Sequence, residues 1–180
     1  MNYTKSNPVS LDATIQKMQN TLHSELSSLW VMGTDEKTNL DGIGRCYVIN
    51  RDGFKTAERF KQGSDYENVA VSNKSKFFFL NRSQKKRDVE GWFKTDLELI
   101  FIVDLRKAKP SINHRADMEV ETDVEQLLTG FDNVSVTSID SGYERALNGI
   151  NYEQKNDMQP YHVFKFNLAV SFSVNETCCC

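Results

Sequence analysis

Asp96-Leu-Glu-Leu-Ile-Phe-Ile-Val-Asp-Leu-Arg106 is the stretch that decides the fold, and His162-Val-Phe-Lys-Phe-Asn-Leu-Ala-Val-Ser-Phe-Ser-Val174 repeats its pattern. Both runs mix alternating polar and apolar positions with β-branched and aromatic residues, which predicts two strands of a sheet with one buried face. Between them, Asp117 to Phe131 has the period of an amphipathic helix. Its apolar face consists of Ala116, Val120, Val124, Leu127, Leu128 and Phe131.

A second helix is predicted near the start of the chain. Ser10 can cap it, and Asp12 is favourable in its first turn. Its apolar stripe runs over five turns through Leu11, Ile15, Met18, Leu22, Leu26 and Leu29. Gly33 lies at its end or in the loop after it. We therefore expect an α+β fold, a mostly antiparallel sheet with two helices packed on one face.

The remaining segments predict further strands. Residues 45–50, 76–81 and 134–139 have strand character, and 41–44 and 51–53 have turn character. Residues 76–105 predict a hairpin with a polar tip at 82–88, and Lys109-Pro110 closes its long strand. The stretch 50–75 predicts a long excursion, with a short helix at 56–61 as one alternative. Residues 141–160 predict a polar loop.

The length of 180 residues and the composition favour one soluble domain over residues 1–180, with a core at about 9–174 and a tail at 175–180. No apolar run reaches the roughly 20 residues that span a bilayer, and residues 1–30 do not resemble a signal peptide. The four cysteines, Cys46 and Cys178 to Cys180, form no disulfide framework. We expect a solvated tail without cofactor or membrane attachment.

Charge is segregated along the chain. Residues 45–115 carry 16 basic and 9 acidic residues, whereas residues 116–180 carry 3 basic and 11 acidic residues. Opposite charges on two flanks suit head-to-tail contact between identical subunits, although solvated faces that merely differ are an equal alternative. The candidate interface residues are Arg82, Lys85, Lys86 and Arg87 on the hairpin tip, and Asp117, Glu119, Glu121, Asp123 and Glu125 on the helix.

Sequence motifs for catalysis are absent. The three histidines, His23, His114 and His162, have no carboxylate or cysteine at ligand spacing, so we expect neither catalytic nor metal-binding residues. Asp96, Glu98 and Lys94 share one face of a strand and could hold Mg²⁺ in a small nuclease, an alternative that is weaker than solvent-facing charge. The basic residues at 82–87 could contact nucleic acid, but the linear sequence does not interleave them with aromatic residues.

The last third of the chain resembles a known family. Asp157-Met-Gln-Pro-Tyr-His-Val-Phe-Lys-Phe-Asn-Leu168 is similar to the closing segment of tail-terminator, or tail-completion, proteins of tailed bacteriophages. The Trp92 to Leu105 strand, the acidic helix, the strand at 134–139 and the N-terminal helix follow the same order of elements. The stretch 50–75 departs from the compact family pattern.

This resemblance implies a structural subunit of the virion rather than an enzyme. It implies a homo-oligomeric ring, commonly a hexamer, that caps the tail tube in the neck and joins it to the head-tail connector, with DNA passing through. Its implied partners are other copies of the chain, the tail-tube protein and the neck proteins. A nucleic-acid-associated protein is the alternative, followed by the metal-dependent nuclease.

Overall fold

The computed structural model describes residues 1–30, 40–61, 64–69, 74–89, 91–151 and 160–174. These residues contain nine strands and four helices. The strands are β1 (Asn2–Tyr3), β2 (Asp41–Arg51), β3 (Phe54–Lys61), β4 (Ser64–Asn68), β5 (Lys76–Leu80), β6 (Lys86–Arg87), β7 (Trp92–Asp104), β8 (Val134–Ser141) and β9 (Tyr161–Ser173). The helices are α1 (Leu11–Leu29), α2 (Leu105–Ala108), α3 (Asp117–Leu128) and α4 (Tyr143–Ala146).

All nine strands belong to one sheet. Its main path has the order β4-β3-β2-β5-β7-β9-β8, with β1 beside β2 and β6 beside β7. Only the pairs β1–β2 and β2–β5 are parallel, so the α+β fold with a mostly antiparallel sheet is confirmed. The two stretches that decided the fold form its centre, since β7 and β9 pair from Trp92↔Ser173 to Asp104↔Tyr161.

The two long helices pack on the same face of the sheet, as expected. One hydrophobic cluster joins α1, α3 and the inward side chains of β5, β7 and β9. The indole Nε1 of Trp30 donates a hydrogen bond of 2.7 Å to Asp123 and so links the end of α1 to α3. Helix α3 ends at Leu128, three residues before the predicted end, and Leu127 is only partly buried.

The opposite face of the sheet is also buried, whereas the sequence pattern predicted one buried face. Ile100 and Ile102 of β7 point into a second cluster, which Ala146, Leu147 and Ile150 cover. These last three residues lie in the segment that we predicted to be a polar loop. Glu144, Arg145 and Asn148 of the same segment are exposed. The segment is therefore mostly polar in sequence, although three of its side chains cover the sheet.

Residues 54–61 form a strand, so the alternative of a short helix at 56–61 is wrong. The turn between β2 and β3 is the expected one, with positive φ at Asp52 (51°) and Gly53 (84°), as in a two-residue hairpin. The apolar residues of this strand, Phe54, Ala57 and Phe60, are three apart and do not show the period of two, and only Ala57 among them is buried. Strands β3 and β4 extend the sheet beyond the helices, and the rest of the predicted excursion lies partly outside the described residues.

Residues 41–44 are the start of β2 rather than a turn. Gly42 allows this because a Cβ atom there would lie 2.9 Å from Asn2 Oδ1 and 3.0 Å from Phe77 Cζ. A side chain at Gly42 would therefore displace the side chains of Asn2 and Phe77, which pack over this position. The missing Cβ lets the N-terminus pack closely, and the N-terminal amine of Met1 lies 2.8 Å from Asp41 Oδ1.

Two predicted boundaries differ from the structure. Ser10 occupies the N-cap position of α1, but its φ is 58° and its side chain makes no capping hydrogen bond. The long strand β7 ends at Asp104 rather than near Lys109, because the Asp104 side chain accepts a bond from the backbone N–H of Arg106 and starts α2. The expectations for Gly33 and for Cys178 to Cys180 lie outside the described residues. None of the described helices is long and apolar enough to cross a membrane.

Candidate interaction surfaces

The carboxylate of Glu121, in the acidic row of α3, is bound inside the chain. It lies 2.8 Å from Nε2 of His162, a buried ring, and accepts a hydrogen bond from the hydroxyl of Ser141. Burial would raise the pKa of Glu121, but the bonds from His162 and Ser141 outweigh it and lower that pKa. Arg115 Nη2 lies 3.5 Å from the other ring nitrogen of His162. The group connects α3 to β8 and β9.

Asp123 has a similar structural role. Its Oδ2 atom accepts the bond from Trp30 and forms an ion pair of 2.7 Å with Lys109. Both cation and anion are less than one-fifth exposed. Asp123 therefore ties α3 to the end of α1 and to the segment after α2.

The other three acidic residues of α3 are more accessible. Asp117 pairs with Arg115 at 3.3 Å, and Glu119 pairs with His114 at 2.7 Å. Glu125 is exposed on the last turn of the helix. Because four of the five candidate carboxylates contact groups of their own chain, Glu125 is the member of the row best placed to meet a partner.

Two of the three histidines have carboxylate partners, contrary to the sequence expectation. The partners of His114 and His162 are Glu119 and Glu121, and only the first pair is close in sequence. His23, expected on the surface, is half-buried, and burial lowers its pKa. The pairing of Glu121 with His162 spans 41 residues, so no local spacing could have indicated it.

The four basic residues of the hairpin tip divide into two groups. Arg82 contacts its own chain, since Nη1 donates to the carbonyl of Asn148 at 2.8 Å and Nε lies 3.0 Å from Glu98. Lys85, Lys86 and Arg87 are exposed. The last two form β6, which pairs with the start of β7. The free cations of the tip are therefore in the β6–β7 ribbon rather than at Arg82.

The pairing of β6 with β7 places aromatic side chains beside these cations. The linear sequence did not show this proximity. Arg87 lies directly opposite Phe93, and the Lys85 ammonium is 5.3 Å from the centre of the Phe93 ring. Trp92, the first residue of β7, is 43% exposed. The sequence feature that could have indicated this arrangement is Trp92-Phe93, which follows Lys85 to Arg87 after a short turn. The register in which the two strands pair could not be read from the sequence.

The proposed Mg²⁺ ligands are engaged in polar contacts. Lys94 pairs with Asp88 at 2.8 Å, Asp96 accepts a bond from the Ser83 hydroxyl, and Glu98 lies between Arg82 and Lys165. In the part of the chain that the structure describes, no group of three or more His, Cys, Asp and Glu side chains could hold a metal ion. Two cations beside Glu98 favour an ion network at this position.

A third surface, which the sequence analysis missed, lies on β2, β3 and β4. We call residues 47–61 and 64–68 the wing. Tyr66 contacts both Tyr47 and Phe60 edge to face, with ring centres 5.8 Å apart in each pair. Phe60 and Phe54 are 63% and 59% exposed. The wing thus presents a row of aromatic side chains that the helices do not cover.

A buried carboxylate organises the wing. Glu58 is 1% exposed and accepts two hydrogen bonds of 2.8 Å from Arg51 and one of 2.7 Å from Thr56. The bond from Arg51 is the main cause of a lowered Glu58 pKa. Because this group fixes both strands of the hairpin, the aromatic row lies on an ordered frame.

A cavity of about 370 Å³ lies between α2 and the start of α3. The described residues that line it include four basic side chains, those of Arg106, Lys109, His114 and Arg115. Lys109, His114 and Arg115 each pair with a carboxylate of α3. The positive charge of the cavity is therefore largely neutralised, and we regard this site as weaker than the tip or the wing.

Comparisons with known proteins assign no family to the chain. No protein-family model matches it, and a search of curated proteins finds no similar sequence.

Proposed function

We propose that the chain is a ring-forming structural subunit of a bacteriophage neck, a tail terminator that caps the tail tube and joins it to the head-tail connector. The exposed aromatic row of the wing carries this proposal. The order of elements, with an N-terminal helix, a long central strand, an acidic helix and a closing strand, supplies the resemblance to that family.

The wing has the properties of a protein contact site. Aromatic side chains bury large areas and are enriched at interfaces, whereas exposed apolar patches are uncommon on monomeric proteins. Phe54 and Phe60 are exposed although the chain has a complete core on both faces of its sheet. Stability of the single domain does not require them, and association gives them a role.

A second copy of the chain is the partner that suits this geometry. Strands β4 and β8 are the two ends of the main path of the sheet, so the wing and the β8 end are different surfaces. Contact between two different surfaces of identical subunits is head-to-tail, and it generates a ring when the rotation closes. The number of subunits, six by resemblance, the tail-tube and connector partners and the passage of DNA are parts of this same proposal.

The test is the mass of the purified chain in solution at increasing concentration. We expect a discrete oligomer several times the 20.7 kDa subunit mass, and we expect Phe54→Ser with Phe60→Ser to reduce it to a monomer. Met118→Ser is the matched control, because Met118 is an exposed apolar side chain of α3 (68% exposed) outside the wing. A chain that stays monomeric at all concentrations, or an oligomer unaffected by the wing variants, would contradict the proposal.

The metal-dependent nuclease has no comparable support. Glu98 is held by Arg82 and Lys165, so a metal would have to displace two cations. We expect Asp96→Asn with Glu98→Gln to leave oligomer formation intact. Cleavage of DNA that requires Mg²⁺ and disappears in this double variant, with folding unchanged, would establish the nuclease instead.

A further inference from the structure

The β6–β7 ribbon carries an arrangement of charges that the fold itself does not explain. Lys86 lies directly opposite Lys94 in an antiparallel pair. Side chains at such positions are close neighbours, and like charges there are destabilising. Arg87 and Lys85 add two more exposed cations beside them. Residues 82–94 contain five basic and two acidic residues in all.

One face of the ribbon combines these cations with an aromatic ring. Trp92 and Lys94 are two residues apart on β7 and therefore point to the same side, as does Lys86 opposite Lys94. Trp92 is 43% exposed, unlike the fully buried Trp30. Ser173 and Ser171 lie opposite Trp92 and Lys94 on β9. This side of the sheet thus offers a ring face, two ammonium groups and hydroxyl groups.

We infer that this face of the β6–β7 ribbon binds single-stranded nucleic acid, with a base stacked on Trp92 and phosphates held by Lys86 and Lys94. A phosphate placed near both ammonium groups relieves their mutual repulsion. An aromatic ring beside them provides a stacking surface for any base, the combination by which proteins bind single strands without sequence preference. Lys85 and Arg87 lie on the opposite side of the ribbon, beside Phe93, and add to the positive charge around it.

The carboxylates near the face are compatible with this binding. Asp88 pairs with Lys94, but both side chains are exposed, at 37% and 59%, and surface ion pairs of this kind are weak. A phosphate can therefore take the place of Asp88 beside Lys94. Asp96 is directed to the Ser83 hydroxyl, at 3.1 Å.

The experiment measures binding of a labelled oligothymidylate to the full chain by fluorescence anisotropy over a series of salt concentrations. We expect Trp92→Ala to weaken binding about 5- to 150-fold, the range for one stacked base. We expect Lys86→Gln with Lys94→Gln to lower the slope of log affinity against log salt by about 1.4, since each single-strand phosphate contact contributes about 0.7. Quenching of the exposed Trp92 fluorescence on binding provides a direct signal from the site.

Matched variants outside both the ribbon and the wing are the controls. Met118→Ala removes another exposed apolar side chain, and Lys5→Gln with Lys17→Gln removes two other exposed lysines; neither should change the affinity or the slope. No binding at low salt would overturn the inference, as would binding that neither Trp92→Ala nor Lys86→Gln with Lys94→Gln weakens. Equal binding of a duplex of the same length without an effect of Trp92→Ala would overturn the stacking role and the single-strand preference.

The inference is independent of the proposed ring. The solution mass of each variant at Lys86, Trp92 and Lys94 is measured together with its affinity for the oligonucleotide. We expect the mass of the oligomer to be unchanged in these variants. Loss of nucleic-acid binding in these variants with an intact oligomer assigns the binding to the β6–β7 ribbon. A natural chain that is monomeric but still binds the oligonucleotide contradicts the ring and supports the binding site on the ribbon.

Discussion

The central strands and the wing both contain phenylalanine side chains, but these side chains have different surroundings in the two regions. In β7, alternate side chains enter two separate hydrophobic clusters, and Phe101 is completely buried. In β3, Phe54 and Phe60 lie on one side of the strand and remain in solvent. The difference lies in what packs on each segment, because α1, α3 and α4 cover the centre and stop short of the wing. Apolar strand residues therefore stabilise the domain in one region and are available for association in the other.

The largest expected contrast is between a central and a wing phenylalanine. Phe101 stacks on Phe164 with ring centres 4.9 Å apart, and Phe101→Ala should lower the free energy of unfolding by about 3–5 kcal/mol. Phe60→Ala should change it by no more than about 0.5 kcal/mol in the monomer. Urea unfolding at a concentration below that of association measures both. Equal losses would show that the wing belongs to the core.

Two adjacent leucines of α3 sharpen the same comparison within the core. Leu128 is 1% exposed and Leu127 is only partly buried. Leu128→Ala should cost about 2–5 kcal/mol of unfolding free energy, whereas Leu127→Ala should cost about 1 kcal/mol because its site is partly solvated. A larger loss at Leu127 than at Leu128 in thermal or urea unfolding would mean that the helix is rotated about its axis.

A buried lysine joins the two regions and makes stability depend on pH. Lys76 is 1% exposed, its Nζ donates to the carbonyl of Val69 at 3.1 Å, and burial lowers the pKa of Lys76 to about 8. Between pH 8 and the ordinary lysine pKa of about 10.5, the unfolded chain binds more protons at this position than the folded chain. Stability should therefore rise with pH across this window, by up to about 3 kcal/mol.

Lys76→Met is the variant that isolates this effect. The difference in unfolding free energy between the natural chain and the variant should shift in favour of the natural chain from pH 8 to pH 10.5 and stay constant below pH 7. A difference that is flat across the whole range would show that folding does not lower the pKa of Lys76.

The smallest expected effect concerns the frame of the wing at low pH. Arg51 holds the pKa of Glu58 below its ordinary value. The stability that the ionised Glu58 gives the folded chain is therefore complete above the unfolded pKa of about 4.3. It is lost as the pH falls through the lower folded pKa. Glu58→Gln should remove about 1–2 kcal/mol at pH 7 and flatten the acid dependence. Acid titration of hydrogen exchange in β3 measures this locally. An unchanged acid profile in Glu58→Gln would contradict the role of the Arg51 pair.

The repeating patterns of the sequence predicted the frame of the domain. The apolar stripe of α1 gave a helix that the structure bounds at Leu11–Leu29, and the strand patterns located β5, β7 and β9. The prediction that α1 and α3 share one face is confirmed as well. These features follow from local periodicity, since each helix or strand exposes its apolar side chains in a direction fixed by its own geometry.

The sequence also named residues whose function stays a prediction. The charge segregation selected the tip and the acidic helix as interface candidates, and the structure shows that Glu121 and Asp123 bind side chains of their own chain. Charge counted along a chain does not reveal which carboxylate already has a partner. The ring, its neighbours in the neck and the absence of catalytic residues remain predictions for the experiments described above.

Other features depend on contacts between segments far apart in the chain. The burial of the second sheet face by Ala146 and Leu147, the pairing of His162 with Glu121, and the position of Lys86 opposite Lys94 all arise only when strands pair in register. Local sequence determined the two long helices and the central strands, because side-chain periodicity is a property of neighbouring residues. The tertiary structure alone decided which apolar and charged side chains were covered, because burial depends on the segment that packs on top.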